Sequence, residues 1–204
     1  DLHSFPTRRS SDLTNVFVGV LIQSSAEELA CRVFMYQRLR DAYARPIVAL
    51  VGNPALFAVL HLMNRGVTAL SVLNIFLVGL LFSMCVYYFN SFWMVAAIHT
   101  SWNFTQSILL GLPNSGSVAP FSIFKLEGAA DSLAYNVGFG IEGTALVGVV
   151  LVAACVCAYV VGQRVGRPAA GGVVGVSACE LTDGQVAGKL ADELGQSPSG
   201  DEIG

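Results

Sequence analysis

The fold class expected from the sequence is all-α: a polytopic transmembrane helix bundle of about five spans. Three observations predict it. Hydrophobic residues make up 54% of the chain and charged residues only 12%, about half the charged share of a soluble domain. Mean hydropathy is +0.63. From Gly66 to Phe124 there is no Lys, Arg, Asp or Glu, so helices in that stretch have no charged face to turn to water.

A helix needs roughly 20 apolar residues to cross the hydrocarbon core. Five segments qualify: 14–38, 46–63, 68–89, 92–111 and 143–162. The first holds most of the intramembrane charge, Glu27, Glu28 and Arg32. The second is short and contains Asn53-Pro54. Proline lacks an amide hydrogen and crowds the preceding turn, which predicts a kink or a late helix start. The third leads through a tight turn at Asn90-Ser91 into the fourth. Residues 112–143 are rich in Gly, Pro, Ser and Asn and too polar to span. Phe121, Ile123, Phe124 and Phe139 suggest that this segment lies on the bilayer or caps a cavity.

The two ends differ from the middle. Residues 1–13 are polar and basic, and Ser4 to Leu13 resembles translated sequencing-adapter read-through, so 1–13 is read as a non-native leader on a truncated chain. It lacks the apolar core of a signal peptide, and His3 is set aside with it. Residues 163–204 are glycine-rich with six acidic residues, too little apolar area to offset ordering entropy, and are expected to be disordered. Val186, Leu190 and Leu194 share one face of a short helix there, marginal by itself.

Composition also excludes. No basic patch interleaved with aromatics is present, which argues against nucleic acid as a partner. Cys31, Cys85, Cys155 and Cys157 lie in apolar spans and Cys179 in the tail. That is neither a disulfide framework nor a metal knuckle; buried structural thiols are expected. Alternating loops put Arg38, Arg40, Arg45, Arg164 and Arg167 on one side and Arg65 and Lys125 on the other. The first group is then cytoplasmic, and the lipid bilayer is the partner the composition requires. Nothing here sets an oligomeric state.

Three charged residues facing lipid would together cost roughly 8–10 kcal/mol, so they face the bundle interior or a wet cavity. Glu28 and Arg32 are one helical turn apart with the acid first, the favourable order for an ion pair. Glu27 points about 100° away and lacks that partner, which makes it the candidate general base. Two further ionisable groups lie in spans: His61, one turn after Phe57, and His99, one turn before Asn103. Intramembrane ionisable residues on separate helices are a functional hypothesis by default.

Glu27-Glu28-x-x-x-Arg32, Phe57-x-x-x-His61 and His99-x-x-x-Asn103, in that order on successive helices, resemble the three motifs of the CAAX prenyl protease and bacteriocin-processing (CPBP, Abi-like) intramembrane protease family. The resemblance covers about residues 14–162, the membrane protease core. It implies that Glu27 activates water with help from His61, that His99 and Asn103 stabilise the oxyanion, and that Glu28, Arg32 and Phe57 support the site. Cys31 and Val33 flank Arg32 where the family often carries a bulkier residue and a glycine. Members typically have about eight spans, which agrees with truncation. The resemblance leaves two chemistries open, a zinc ion held by His61, His99 and Glu27, or a metal-free glutamate mechanism. No His-Glu-x-x-His is present, though two histidines and a glutamate from separate helices are a sound zinc set. As a ligand, Glu27 could not also serve freely as base.

The expected function is therefore intramembrane hydrolysis of peptide bonds in membrane-associated or C-terminally processed proteins, in a bacterial cytoplasmic membrane. The alternatives are a catalytically inactive immunity or scaffold protein of the same fold, and an ion-coupled transporter. The protease reading requires Glu27, His61, His99 and Asn103 to converge on one polar cavity, with Glu28 turned towards Arg32.

Overall fold

Local chemistry marks several helix starts. Pro46 occupies the first turn of its helix, where its missing amide hydrogen costs nothing. Thr68 and Ser71 form a reciprocal capping box. Ser91 Oγ accepts from the Met94 amide, directly after Asn90 has turned the chain in the left-handed conformation, φ 49°. The tight turn expected at Asn90-Ser91 is thus an αL cap followed by an N-cap.

The computed structural model describes residues 5–120, 122–126 and 130–165, with side chains from residue 13 onward. In chain order it contains α1 (Phe5–Glu28), a π-helical stretch (Leu29–Met35), α2 (Tyr36–Ala42), α3 (Pro46–Leu60) with a 3-10 turn (His61–Met63), α4 (Ala69–Phe89), α5 (Phe92–Asn103) with a second π-helical stretch (Phe104–Leu109), a 3-10 turn (Ile141–Gly143) and α6 (Ala145–Val165). The described residues form no strand. Phe121, His3, Arg167, Cys179 and the expected tail helix of Val186, Leu190 and Leu194 lie outside the described residues.

Each of the five expected spans is a helical segment. Three of them, Pro46–Met63, Ala69–Phe89 and Ala145–Val165, are long and apolar enough to cross a membrane by length and composition. The other two carry Glu27, Glu28, Arg32, His99 and Asn103, and both change to π-helix part-way. The late start expected from Pro54 does not occur. α3 begins at Pro46 and runs through Pro54 to Leu60. Gly79 on α4 leaves space at that point, since a Cβ there would lie 3.2 Å from Pro54 Cα.

α4 packs against both α3 and α6, and α1 packs against α5. One core cluster joins Tyr36, Ala49, Phe82, Cys85, Val86, Phe92, Val95 and Ala96. α6 is the least enclosed: 11% of its apolar window is buried, and Val149, Val152, Val156 and Val160 face outward. Such a face is suited to lipid, and the chain is an integral membrane protein. The thiol expectation holds for Cys31 and Cys85, which are buried, whereas Cys157 is exposed on this helix.

The segment between α5 and α6 caps the bundle. The Ile123 and Phe124 amides donate to the carbonyls of Ile108 and Leu109, satisfying acceptors that a helix end leaves open. Phe139 is fully buried against Cys31, Phe57, Ala58 and Ile75, while Ile123 and Phe124 stay exposed. Gly140 has φ +81°, and a Cβ there would collide with the Pro113 carbonyl; only glycine fits this approach.

Candidate active site

Helical spacing builds the first wall. Ser24, Glu28 and Arg32 follow one another at four-residue intervals and are all completely buried. Arg32 Nη1 donates to Glu28 Oε1 at 3.3 Å, and Arg32 Nε lies 3.1 Å from Oε2. The guanidinium is held between rings, 4.3 Å from the Phe57 centroid and 5.2 Å from that of Phe82, a favourable setting for a desolvated cation. Phe57 also packs on the His61 ring at 4.5 Å. Phe57 thus touches two of the motif residues.

Both π-helical stretches start immediately after motif residues, one after Glu28 and the other after Asn103. Each is closed by a five-residue backbone bond, Tyr36 N to Cys31 O and Leu110 N to Thr105 O. Such bulges are frequent at functional sites. The Cys31 carbonyl also accepts from Asn53 Nδ2 at 2.6 Å, and Asn53 Oδ1 accepts from Ser83 Oγ. This buried polar chain fixes the bulge to α3 and α4.

Glu28 turns towards Arg32 as expected and also meets His99, whose Nδ1 lies 2.8 Å from its Oε1. A carboxylate oxygen has two lone pairs, and the packing of α1 on α5 brings the ring within reach. An ionised carboxylate only accepts, so the hydrogen sits on Nδ1. Nε2 is left facing Glu27 Oε2 at 3.8 Å, too far for a hydrogen bond but a span that one water can bridge. His99 therefore lies between the two acids. Glu27 is about one-third exposed, and its Oε1 accepts from Gln23 Nε2 at 3.2 Å.

His61 approaches from the end of α3. Its Nδ1 is 2.8 Å from the Phe57 carbonyl, which makes Nδ1 the donor and leaves Nε2 as an acceptor. Asn103 donates from Nδ2 to Ser24 Oγ at 3.2 Å, and its Oδ1 accepts from Asn114 Nδ2 at 3.0 Å.

Glu27, His61, His99 and Asn103 all line one cavity of about 610 Å³, within the range of small-molecule and peptide-side-chain sites. Glu27 and His99 are near neighbours in it; His61 makes no ion pair with either. The cap supplies Asn114, Ser115 and Glu142 to the same lining. Glu142 is tightly held, accepting from Trp102 Nε1 at 2.8 Å and from the Ser115 amide and hydroxyl at 2.9 and 2.8 Å. Gln23, Ser24, Asn114 and Glu142 were missed in the sequence. Gln23 and Ser24 could have been found as polar residues one turn before Glu27 and Glu28.

The zinc set is tested by its donors. Among the described residues no group of three or more His, Cys, Asp and Glu side chains is arranged to hold a metal ion. Nδ1 of each histidine is engaged, with Glu28 in one case and the Phe57 carbonyl in the other, which is no obstacle to a metal, since a ligating histidine commonly holds its second nitrogen this way. What separates Glu27, His61 and His99 from a metal set is their placement among the described residues, not their hydrogen bonding.

Residues 9–105 match the family model described as Rce1-like, type II CAAX prenyl endopeptidase Rce1-like. This segment is similar to that family. All seven motif residues fall inside the match, and the cap and α6 lie beyond it. No curated protein and no solved structure matches the chain.

Proposed function

We propose that this protein is an intramembrane endopeptidase whose Glu27 activates water for attack on a peptide carbonyl. Its substrates are membrane-associated or C-terminally processed proteins, prenylated CAAX-type C-termini among them, in a bacterial cytoplasmic membrane. The observation that carries the reading is Glu27 opening onto the cavity with His99 Nε2 3.8 Å away. A water between them can lose a proton to Glu27 while His61 Nε2 accepts its other hydrogen. Attack places negative charge on the former carbonyl oxygen, and the proton held by Glu27 then passes to the leaving amine. The oxyanion needs donors. Asn103 Nδ2 has a second hydrogen beyond the one given to Ser24. His99 can donate from Nε2 when both ring nitrogens carry hydrogen. In that state Glu27, Glu28, Arg32 and His99 sum to zero charge, the arrangement least penalised in a low-dielectric interior.

The reading is metal-free, since a liganded Glu27 would lose its role as base. Cleavage of a farnesylated CAAX peptide by membranes containing the protein tests it. Glu27→Ala and His61→Ala should each lower cleavage by about 10²–10⁴-fold without reducing the inserted protein. Activity should persist after treatment with a zinc chelator. Wild-type rates in the Glu27→Ala protein would remove the general-base assignment, and loss on chelation that zinc restores would replace it with a metal mechanism.

A further inference from the structure

The cap contributes a side chain to the site from outside the segment that matches the family. Asn114 Nδ2 donates to Asn103 Oδ1 at 3.0 Å. The two ends of an asparagine amide are alike in shape and opposite in hydrogen bonding, so partners decide which end faces the cavity. Ser24 Oγ, the other partner of Asn103, can donate or accept and does not discriminate. Asn114 does. By donating to Oδ1 it holds that oxygen away from the reacting carbonyl and leaves the NH2 group for the oxyanion.

The backbone of Asn114 is itself fixed. It pairs in both directions with Ser117, Asn114 N to Ser117 O at 2.8 Å and Ser117 N to Asn114 O at 2.9 Å. The turn between them passes through Ser115 and Gly116, both at positive φ. Glu142 clamps Ser115 through its amide and hydroxyl and ties the same carboxylate to Trp102, the residue before Asn103. The turn is therefore anchored to the helix that bears the oxyanion donor.

We infer that Asn114 is a positioning residue for catalysis, setting the amide of Asn103 so that its NH2 group faces the substrate carbonyl. The inference rests on the endopeptidase reading. Asn114→Leu keeps the volume and removes the donor. Asn114→Asp keeps the shape and can only accept when ionised, which turns the Asn103 amide around. In CAAX-peptide cleavage, kcat should fall about 10-fold for Asn114→Leu and about 10²-fold for Asn114→Asp, the scale of a lost oxyanion donor, with KM within about 2-fold of wild type. In an Asn103→Ala background, Asn114→Leu should change kcat no further. An unchanged kcat in both single variants, or an equal fold-loss with and without Asn103, overturns the inference. Thermal unfolding of wild type, Asn103→Ala, Asn114→Leu and the double variant in detergent needs no activity. The two substitutions should lower Tm by less together than their separate shifts sum to, and additive shifts overturn the contact. Wild type without Glu27-dependent cleavage would sink the endopeptidase reading instead, leaving the unfolding comparison to decide Asn114.

Discussion

Arg32 concentrates the energetic risk of the site in one side chain. It is the guanidinium paired with Glu28, both are fully buried, and Nη2 has no hydrogen-bond partner of its own. Arg32→Ala should therefore cost stability rather than chemistry. It strands Glu28 as an uncompensated buried charge, a loss of about 3–5 kcal/mol by analogy with broken buried pairs. The expected outcome is a clear fall in folded protein recovered in detergent, and recovery equal to wild type would contradict the bracing role. This pair was legible in the sequence because i,i+4 spacing is a local property of a helix. The bond from His99 to Glu28 was not. The two residues are 71 positions apart, and spacing cannot say which of two adjacent carboxylates a ring on another helix will meet. Phe57 came only from the motif resemblance, because its stacking on Arg32 is a matter of packing between helices.

At the scale of elements, the spans were readable because their apolar length has only one comfortable solvent. The π-helical stretches were not, since an inserted residue in a helix leaves no compositional mark. The cap shows the same division. Its Gly, Pro, Ser and Asn content announced irregular backbone, but its packing depends on close approaches that only the fold creates. Gly140 is the clearest of these, with φ +81° and the Pro113 carbonyl where a Cβ would be. Pro113 O also accepts from Gln106 Nε2, so the collision would fall on a backbone already tied down beside Asn114. Gly140→Ala should destabilise by about 1–3 kcal/mol, the range for a residue forced into a disfavoured backbone region, with more added by the collision. Thermal unfolding in detergent measures this, and an unchanged Tm would mean that the cap is not held as described.

For the whole molecule, the two ends of the bundle carry different loops, and the contacts say which belong together. Arg40 near the end of α2 lies 5.7 Å from the Tyr87 ring near the end of α4, and Gln163 near the end of α6 donates to Tyr88 Oη at 3.3 Å. One end thus gathers Arg38, Arg40, Arg45 and Arg164. At the other, a Cβ on Gly116 would strike the Arg65 carbonyl and one on Gly66 that of Gly138, so the cap meets the turn between α3 and α4. For the arginines of α2 and the loop after it, of the turn between α3 and α4 and of the end of α6, the alternation assumed from the sequence is a property of the folded chain. Arg167 lies outside the described residues, and the side facing the cytoplasm is left to charge. The arginine-rich end should be cytoplasmic, which puts the cap on the far side and gives substrate access to the cavity a direction. Single cysteines in a background lacking the native ones decide it. Asp41→Cys and Arg164→Cys should react with a membrane-impermeant maleimide only when the cytoplasmic face is exposed, and Ser117→Cys only from the opposite face. The reverse pattern would invert the orientation while leaving the cavity intact; labelling of all three from one face would break the bundle topology itself.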